Sequence, residues 1–411
     1  MKYFLFAFSL VQLIFCQDIF DSFGLDEKAR YSGETVYQID IDRNTLLVLN
    51  MHNISGDITI SGDDGATVQV VEKMKIYSPS KRKARQAYGK IKARIHYDDV
   101  NGIIDIIGSY DTPLRFDLDY NVRVPKQTSV FLVNQGGDID INNVAGELNL
   151  STAGGDIDLA QLAGKIQANT KGGDIDIRHA HGNITLQTSG GDISSIDTEG
   201  ILSLTTFGGD LDVELNRGNV TLFTSGGEIE ISTIEGHTIT AESNGGDIDV
   251  NDITADITLK TSGGDIYLED VLGNITAETQ SGDIELDNVS GDIIAETGSG
   301  TIQIENAGGR ISAVSNHGDI SVYKVLGTHG SSQDIDLNTR YGDVYVILPS
   351  SFQARFSITV TGTESRDAVE TFFPIDIQYN GMVVKASGIL GAEQNTVRIE
   401  SHFGRVIINK D

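Results

Sequence analysis

Residues 172–191 read GGDIDIRHAHGNITLQTSGG, and the last two glycines of this stretch open the next GGDI. A glycine or alanine also marks the middle of each unit, from Gly146 to Gly327, with Ala255 as the only alanine. The residue after the paired glycines recurs every 18 positions, with one interval of 19, at Asp138, Asp156, Asp174, Asp192, Asp210, Glu228, Asp247, Asp265, Asp283, Thr301 and Asp319.

Each unit contains two short segments in which apolar and polar residues alternate, for example residues 138–141 and 183–188. A period of two predicts β-strands. Neither strand can bury its apolar side alone, so consecutive units must stack, at a strand spacing of about 4.8 Å. The sequence therefore predicts an all-β fold, a parallel β-solenoid (single-stranded β-helix). We expect about eleven 18-residue coils, two strands per coil, caps at both ends and a rod on the order of 50 Å long.

The glycines fit the sharp reversals that such a coil needs, because glycine tolerates positive φ and close backbone approach. The third inward position of the second strand of each unit, just before the turn, is always Thr or Ser. These residues form a column whose side chains the strand alternation places inside. Its hydroxyls can satisfy one another and the turn backbone, so we interpret it as structural rather than as an ice-binding or ligand surface. Its members are Thr152, Thr170, Thr188, Thr206, Thr224, Ser243, Thr261, Thr279, Thr297 and Ser315.

The flanks differ from the array in composition. Only four of the 28 Phe and Tyr residues lie within it, so bulkier packing is expected at the ends, where a solenoid needs caps. The predicted organisation is a signal peptide at 1–16, a β-rich N-terminal cap region at 17–135 with a short helical segment near 80–94, regular repeats at 136–336, and degenerate coils with a C-terminal cap at 337–411.

The first residues, MKYFLFAFSLVQLIFCQ, have the layout of a secretory signal and are too short to span a bilayer. This predicts a secreted or cell-envelope protein: periplasmic, at the outer surface or extracellular. Cleavage after Cys16 would leave a mature chain without cysteine. In the alternative, Cys16 is lipidated as the first mature residue, although Phe15 stands where such sites require a small residue.

The chain has a net charge of −29, and residues 136–336 hold 34 acidic but only 7 basic side chains. Such a surface repels nucleic acid and anionic headgroups, and it attracts cations or basic partners. The one basic run, residues 81–94, has a helix-forming composition and is interpreted as a solvated helix face.

Stacking aligns the first acids of successive units, and each like-charge step costs roughly 1 kcal/mol even in a water-like dielectric. In one interpretation the acid accepts backbone hydrogen bonds in an Asx-type turn and keeps the rod soluble. In the other, weakly bound Ca²⁺ lies between coils, although isoleucine replaces the third glycine of the calcium-binding nonapeptide. We favour the first and commit to no metal or other cofactor; the candidate cation ladder comprises Asp138, Asp140, Asp156, Asp158, Asp174, Asp176, Asp210, Asp212, Asp247 and Asp249.

Other candidate chemistry is sparse. Carboxylate pairs occur throughout, so they do not indicate a glycosidase, and we predict no catalytic residues. His179 and His181 could contact one metal, but such a surface pair is more commonly solvated. Phe223 is outward by parity and could be a contact point. A carbohydrate-active β-helix, of the polysaccharide lyase or glycosidase type, is the enzyme alternative, but it would interrupt the repeat with long loops.

The early segment NISGDITI (53–60), the segment YNVRVP (120–125), the serial Gly-Asp-Ile units and the final FGRVI (403–407) resemble the family of bacterial putative adhesins. This is a domain-of-unknown-function family of exported β-solenoid proteins. The resemblance implies the solenoid fold and brings no catalytic motif.

The leading hypothesis is a non-enzymatic, acidic envelope or secreted protein that acts as an adhesin-like binding or scaffold protein. Its partner would be a protein or glycan at the cell surface, not nucleic acid, and no transmembrane segment is expected after signal removal. Lateral self-association of the rods stays open. A third class, a purely structural spacer, would neither bind nor turn over a glycan.

Overall fold

A computed structural model describes residues 15–21, 30–42, 46–327, 332–365 and 367–411, and only the backbone for residues 15–21 and 30. The predicted signal peptide therefore lies almost wholly outside the described residues. The chain forms two compact units, Met1–Thr188 and Ser189–Asp411. No helix among the described residues is long and apolar enough to cross a membrane.

The first unit contains thirteen strands and the one helix of the described residues. The elements are β1 Phe15–Asp21, β2 Arg30–Asp40, β3 Leu47–Ile54, β4 Asp57–Asp63, β5 Thr67–Tyr77, α1 Lys81–Ile91, β6 Arg94–Asp98, β7 Ile103–Ile107, β8 Phe116–Pro125, β9 Thr128–Asn134, β10 Ile139–Asn142, β11 Leu148–Ser151, β12 Ile157–Asn169 and β13 Ile175–Gln187.

These strands form two faces. One follows the order β1-β2-β5-β8-β4-β10 and is antiparallel up to β8 and parallel thereafter. The other follows the order β6-β7-β3-β9-β11, in which only the first pair is antiparallel. The long strands β12 and β13 contribute to both faces. The antiparallel strands thus cover the edge that a parallel stack would otherwise expose.

Register within the first unit is the test of the predicted stacking. Ile139 pairs with Ile157, and Ile157 pairs with Ile175, so the three isoleucines lie one above another. All three are at most 1% exposed. The prediction of a parallel β-solenoid with an aliphatic interior is confirmed.

Helix α1 packs against β2 and β5 through Ala84, Ala87, Tyr88 and Ile91. Its N-cap is Ser80, whose hydroxyl accepts a hydrogen bond from the backbone N–H of Lys83. The basic residues of the run lie mainly on the opposite, exposed face. The domain boundaries that the sequence suggested stay predictions.

The described residues of the second unit form strands and no helix. They are β14 Ile193–Thr205, β15 Leu211–Arg217, β16 Val220–Thr224, β17 Ile229–Ser243, β18 Ile248–Lys260, β19 Ile266–Val271, β20 Ile275–Thr279, β21 Ile284–Val289, β22 Ile293–Thr297, β23 Ile302–Ala307, β24 Ile311–Ser315, β25 Ile320–Lys324, β26 Ile335–Thr339, β27 Val344–Leu348, β28 Ala354–Thr361, β29 Val369–Thr371, β30 Asp376–Asn380, β31 Val383–Leu390, β32 Asn395–His402 and β33 Val406–Lys410.

Two parallel stacks run through this unit. The first-strand stack continues β19-β21-β23-β25-β27-β33, and the second-strand stack continues β20-β22-β24-β26-β32-β28. Beyond β28 the antiparallel strands β31 and β30 extend the second stack. Near the C-terminus, β32 pairs in parallel with β26, and β33 pairs in parallel with β27.

The two glycines of each GGD motif have different roles. An added Cβ at Gly173 would lie 2.1 Å from the carbonyl oxygen of Gly155 in the previous coil, whereas at Gly172 it would meet nothing within 4 Å. Neither Gly172 nor Gly173 has a positive φ, although Gly137, the second glycine of the first motif, has a φ of 110°. The second glycine is therefore required by close approach of stacked backbones, and the first is not.

The mid-coil glycines Gly164, Gly182, Gly200 and Gly218 do have a positive φ, between 119° and 148°. A left-handed backbone also occurs in a column of non-glycine residues, five positions after the first acid of each coil. Their φ values lie between 53° and 58°. Asn, Asp and His tolerate this region best, whereas leucine and β-branched threonine are strained there. The sequence argument, which assigned sharp reversals to glycine, missed this column: Asn143, Gln161, His179, Asp197, Leu215, Thr233, Asp252, Asp270, Asn288 and Asn306.

The single 19-residue interval and the single alanine marker belong together. In the pairing of β17 with β18, Glu235 is the register partner of Thr254, and Thr238 is the register partner of Asp256. A bulge lies between these two pairs. Two residues, Gly236 and His237, therefore lie opposite Ala255 alone. A bulge displaces the backbone locally, which accounts for a methyl group where other coils need glycine.

Lys324 is buried in the second unit, with 1% exposure. Its Nζ donates hydrogen bonds to the carbonyl oxygens of Ala307 at 2.8 Å and Gly309 at 2.5 Å. Burial lowers the pKa of this ammonium group to about 8, against a smaller opposing effect of Asp292.

Candidate functional site

The inward Thr and Ser column closes each coil. The hydroxyl of Thr206 donates to the carbonyl oxygen of Gly191 at 2.8 Å and accepts from the backbone N–H of Gly209 at 3.2 Å. Other members of the column make the same donation to a glycine 15 or 16 residues earlier at 2.8–3.0 Å. The interpretation of this column as structural agrees with these bonds, which go to the turn backbone rather than between hydroxyls.

The first acid column also bonds to backbone, but across coils. Oδ1 of Asp138 accepts a hydrogen bond from the N–H of Asp156 at 2.9 Å, and Oδ1 of Asp156 accepts one from Asp174 at 2.9 Å. In the second unit the acceptors Asp192, Asp210, Asp247, Asp265 and Asp283 repeat this bond at 2.6–2.8 Å. The acceptor is thus used between neighbouring coils, not in an Asx turn within one coil as we expected.

These bonds explain how the column tolerates its charge. A hydrogen bond to a charged acceptor contributes about 1.5–3 kcal/mol. That exceeds the repulsion of roughly 1 kcal/mol per step between exposed carboxylates. No cation is needed to hold the column together, and weak Ca²⁺ binding by the ladder stays a prediction.

A second ladder of the same kind follows the mid-coil marker in the second unit. Oδ1 of Asp256 accepts from the N–H of Asn274 at 2.9 Å, Oδ1 of Asn274 from Asp292 at 3.0 Å, and Oδ1 of Asp292 from Arg310 at 3.0 Å. An amide oxygen thus takes the same place as a carboxylate. The position needs an acceptor rather than a charge. Sequence analysis missed this ladder, although an Asp or Asn after the mid-coil glycine or alanine signals it.

The second acid column differs, because its side chains point outward from paired strands. Asp140 pairs in register with Asp158, and Asp158 with Asp176. Partial burial raises the pKa of Asp140 and Asp176, and the carboxylate of Asp158 raises both further. Burial and then Glu230 raise the pKa of Asp212 and Asp249 in the second unit.

In the second unit this column lines a shallow groove of about 460 Å³. Asp212, Glu230, Asp249 and Glu285 lie along it, and Tyr267 takes the place of an acid between the last two. The Tyr267 side chain is 41% exposed. We refer to this as the acidic groove; its chemistry suits cations.

A second groove, of about 370 Å³, follows the other strand stack of the same unit. One wall is the register column Glu242, Lys260, Glu278 and Glu296. Nζ of Lys260 lies 2.7 Å from Oε2 of Glu278, so part of the charge is neutralised. The groove is also lined by amides and hydroxyls, those of Asn244, Ser262, Gln280 and Asn316. We refer to this as the mixed groove.

The histidine pair lies at and just after a corner of its coil. His179 occupies a left-handed corner and both His179 and His181 are exposed. Within the described ranges, no group of three His, Cys, Asp or Glu side chains converges in a way that could hold a metal ion. Arg178, which precedes His179 in the chain, has its guanidinium 3.8 Å from the carboxylate of Asp158, a member of the candidate cation ladder.

Comparison with family models gives two adjoining matches, residues 117–200 and 200–372, to the Toastrack DUF4097 family. Together they cover more than half of the chain. The chain belongs to the Toastrack family. The resemblance to the putative adhesins, a family of unknown function, is thereby confirmed. A search of curated proteins finds no match to this Toastrack chain.

Solved structures similar to this Toastrack chain include a putative cell adhesion protein from Clostridium sporogenes, with 11% identity, a TM-score of 0.18, and coverage of 92% of this chain and 100% of that one. A putative adhesin from Bacteroides fragilis has 12% identity, a TM-score of 0.20, and coverage of 76% and 95%. A putative lipid binding protein from Parabacteroides distasonis has 13% identity, a TM-score of 0.26, and coverage of 74% and 96%. With TM-scores this low, these likenesses carry no functional argument.

Proposed function

We propose that this protein is a non-enzymatic, exported binding or scaffold protein of the cell envelope, with its acidic solenoid as the contact surface. The observation that carries the proposal is the repetition of one polar arrangement from coil to coil. A catalytic site needs a unique constellation of groups, whereas stacked identical columns give many equivalent contact points, which favour multivalent binding.

The hydrogen bonds that the acidic side chains accept support the same function. In the first column the carboxylates accept backbone hydrogen bonds at 2.6–2.9 Å, so they act as ties between coils. The two grooves hold outward polar groups that a partner can contact. A protein or a glycan at the cell surface would be the partner, and the negative field disfavours nucleic acid.

The test is a pulldown from a cell-surface fraction with the immobilised, folded chain, together with an assay for released reducing sugar on the same fraction. We expect retention of a surface component that the heat-unfolded chain does not retain, without new reducing ends. Release of reducing sugar would favour the carbohydrate-active enzyme instead, and neither retention nor release would indicate a spacer.

A further inference from the structure

At one end of the mixed groove, the half-buried Phe223 and the exposed Phe207 break the polar pattern of their columns. Phe223 is the register partner of Glu242, the first residue of the carboxylate wall. Its ring meets that of Phe207 edge to face, with 6.5 Å between centroids, and Phe207 is 49% exposed. In the preceding coil Thr205 holds the position of Phe223. The coil itself thus does not need a phenylalanine there.

The groove also reaches the inward corner column. Thr261 and Thr279 line it and are 6% and 7% exposed, whereas Thr206 and Thr224 outside it are 0% exposed. From Phe223 to Val314 the wall covers five register steps, or about 24 Å at the spacing of parallel strands. This length suits an extended oligomer rather than a single small molecule.

We infer that the mixed groove binds a linear, uncharged oligosaccharide. Carboxylates accept hydrogen bonds from sugar hydroxyls, and the amides of Asn244, Gln280 and Asn316 can both donate and accept. The apolar face of a sugar ring can pack on Phe223, since aromatic rings provide rigid contact area with little loss of entropy. This inference rests on the proposed function and specifies the class of partner.

The charge of the groove selects an uncharged sugar over its competitors. Glu242, Glu278 and Glu296 repel uronic acids and other anionic sugars. A basic peptide would instead favour the acidic groove, which lacks a lysine among its lining residues. Because the ammonium group of Lys260 pairs with Glu278, the mixed groove carries less net negative charge than the acidic groove.

The test measures binding of the full chain to immobilised linear oligosaccharides of β-glucan, α-mannan and β-galactan, with an oligolysine peptide as a further probe, followed by titration calorimetry. We expect one neutral series to bind. Phe223→Thr, which restores the residue of the preceding coil, and Gln280→Ala should each weaken its Kd at least about tenfold. The control Ile201→Asn removes an apolar side chain outside the groove that is 54% exposed, and it should change Kd less than about twofold.

Binding of no neutral series, equal losses in F223T and I201N, or binding of oligolysine alone that F223T leaves unchanged would each overturn the inference. The pulldown separates this failure from that of the proposed function. A chain that retains a surface component but no oligosaccharide refutes only the groove assignment, whereas a chain that retains neither refutes both.

Discussion

Adjacent glycines in one motif provide a sharp test of coil stacking. We predict that Gly173→Ala destabilises the protein by about 3 kcal/mol, whereas Gly172→Ala changes stability by less than about 1 kcal/mol and in the stabilising direction. The two variants change the composition identically and lie one residue apart. Only the distance to the neighbouring coil distinguishes them.

The magnitude follows from the geometry of the corner. The new Cβ at position 173 would lie 2.1 Å from the Gly155 oxygen, and real Cβ atoms essentially never approach closer than 3.0 Å, so the coils must separate by about 0.9 Å. The two intercoil bonds at this corner, from Ile157 N–H to Asp174 O and from Asp174 N–H to Asp156 Oδ1, are both 2.9 Å long. Such a shift takes them beyond about 3.2 Å, the limit of a good bond. Losing both, one of them charge-assisted, costs about 3 kcal/mol.

Urea denaturation followed by far-ultraviolet circular dichroism measures the difference, since the chain has no tryptophan. Equal stabilities of the two alanine variants, or a larger loss for Gly172→Ala, would show that the stacked backbones do not approach as closely as the geometry requires.

Four further outcomes are expected. Thr206→Val loses a buried donor and acceptor and should cost about 2 kcal/mol in urea denaturation; an unchanged midpoint contradicts this. Thr233→Asn relieves a β-branched residue at φ 55° and should stabilise by about 1 kcal/mol, measured in the same way, with a loss of stability as the contrary result. Folding lowers the pKa of Lys324 to about 8, so above that pH this side chain holds fewer protons in the folded state than in the unfolded state. The wild type should therefore gain about 3 kcal/mol relative to Lys324→Met between pH 7 and pH 10.5 in urea titrations, and parallel pH profiles would refute this. If the ladder binds Ca²⁺, millimolar CaCl₂ should raise the melting temperature above that at matched ionic strength, and coincident curves would remove the ladder as a cation site.

Much of the fold could be predicted because period and parity are properties of the chain itself. The interval of 18 puts Ile157 above Ile139, and alternation decides that Asp158 points outward. The corner conformation could not be deduced in this way. Residues as different as Asn143 and Leu215 share the left-handed φ, because the stacked backbone imposes it and local propensity does not.

The candidate site was only partly predictable for a related reason. The acid columns follow from spacing, but the partner of each carboxylate depends on the distance between coils, which no single unit contains. The mixed groove likewise arises from side chains on separate coils, such as Glu242 and Asn316. Phe223 was recognisable as outward, whereas its place beside the carboxylate wall emerged only from the register.

The bulge opposite Ala255 shows how the stack accommodates a change in repeat length. Glu230 still pairs with Asp249 before the added residue, and Thr240 with Thr258 after it. A single insertion at this corner is thus contained within one layer and does not propagate to later layers. Tandem duplication can then lengthen the molecule even when copies are unequal, provided that length errors fall at the corner.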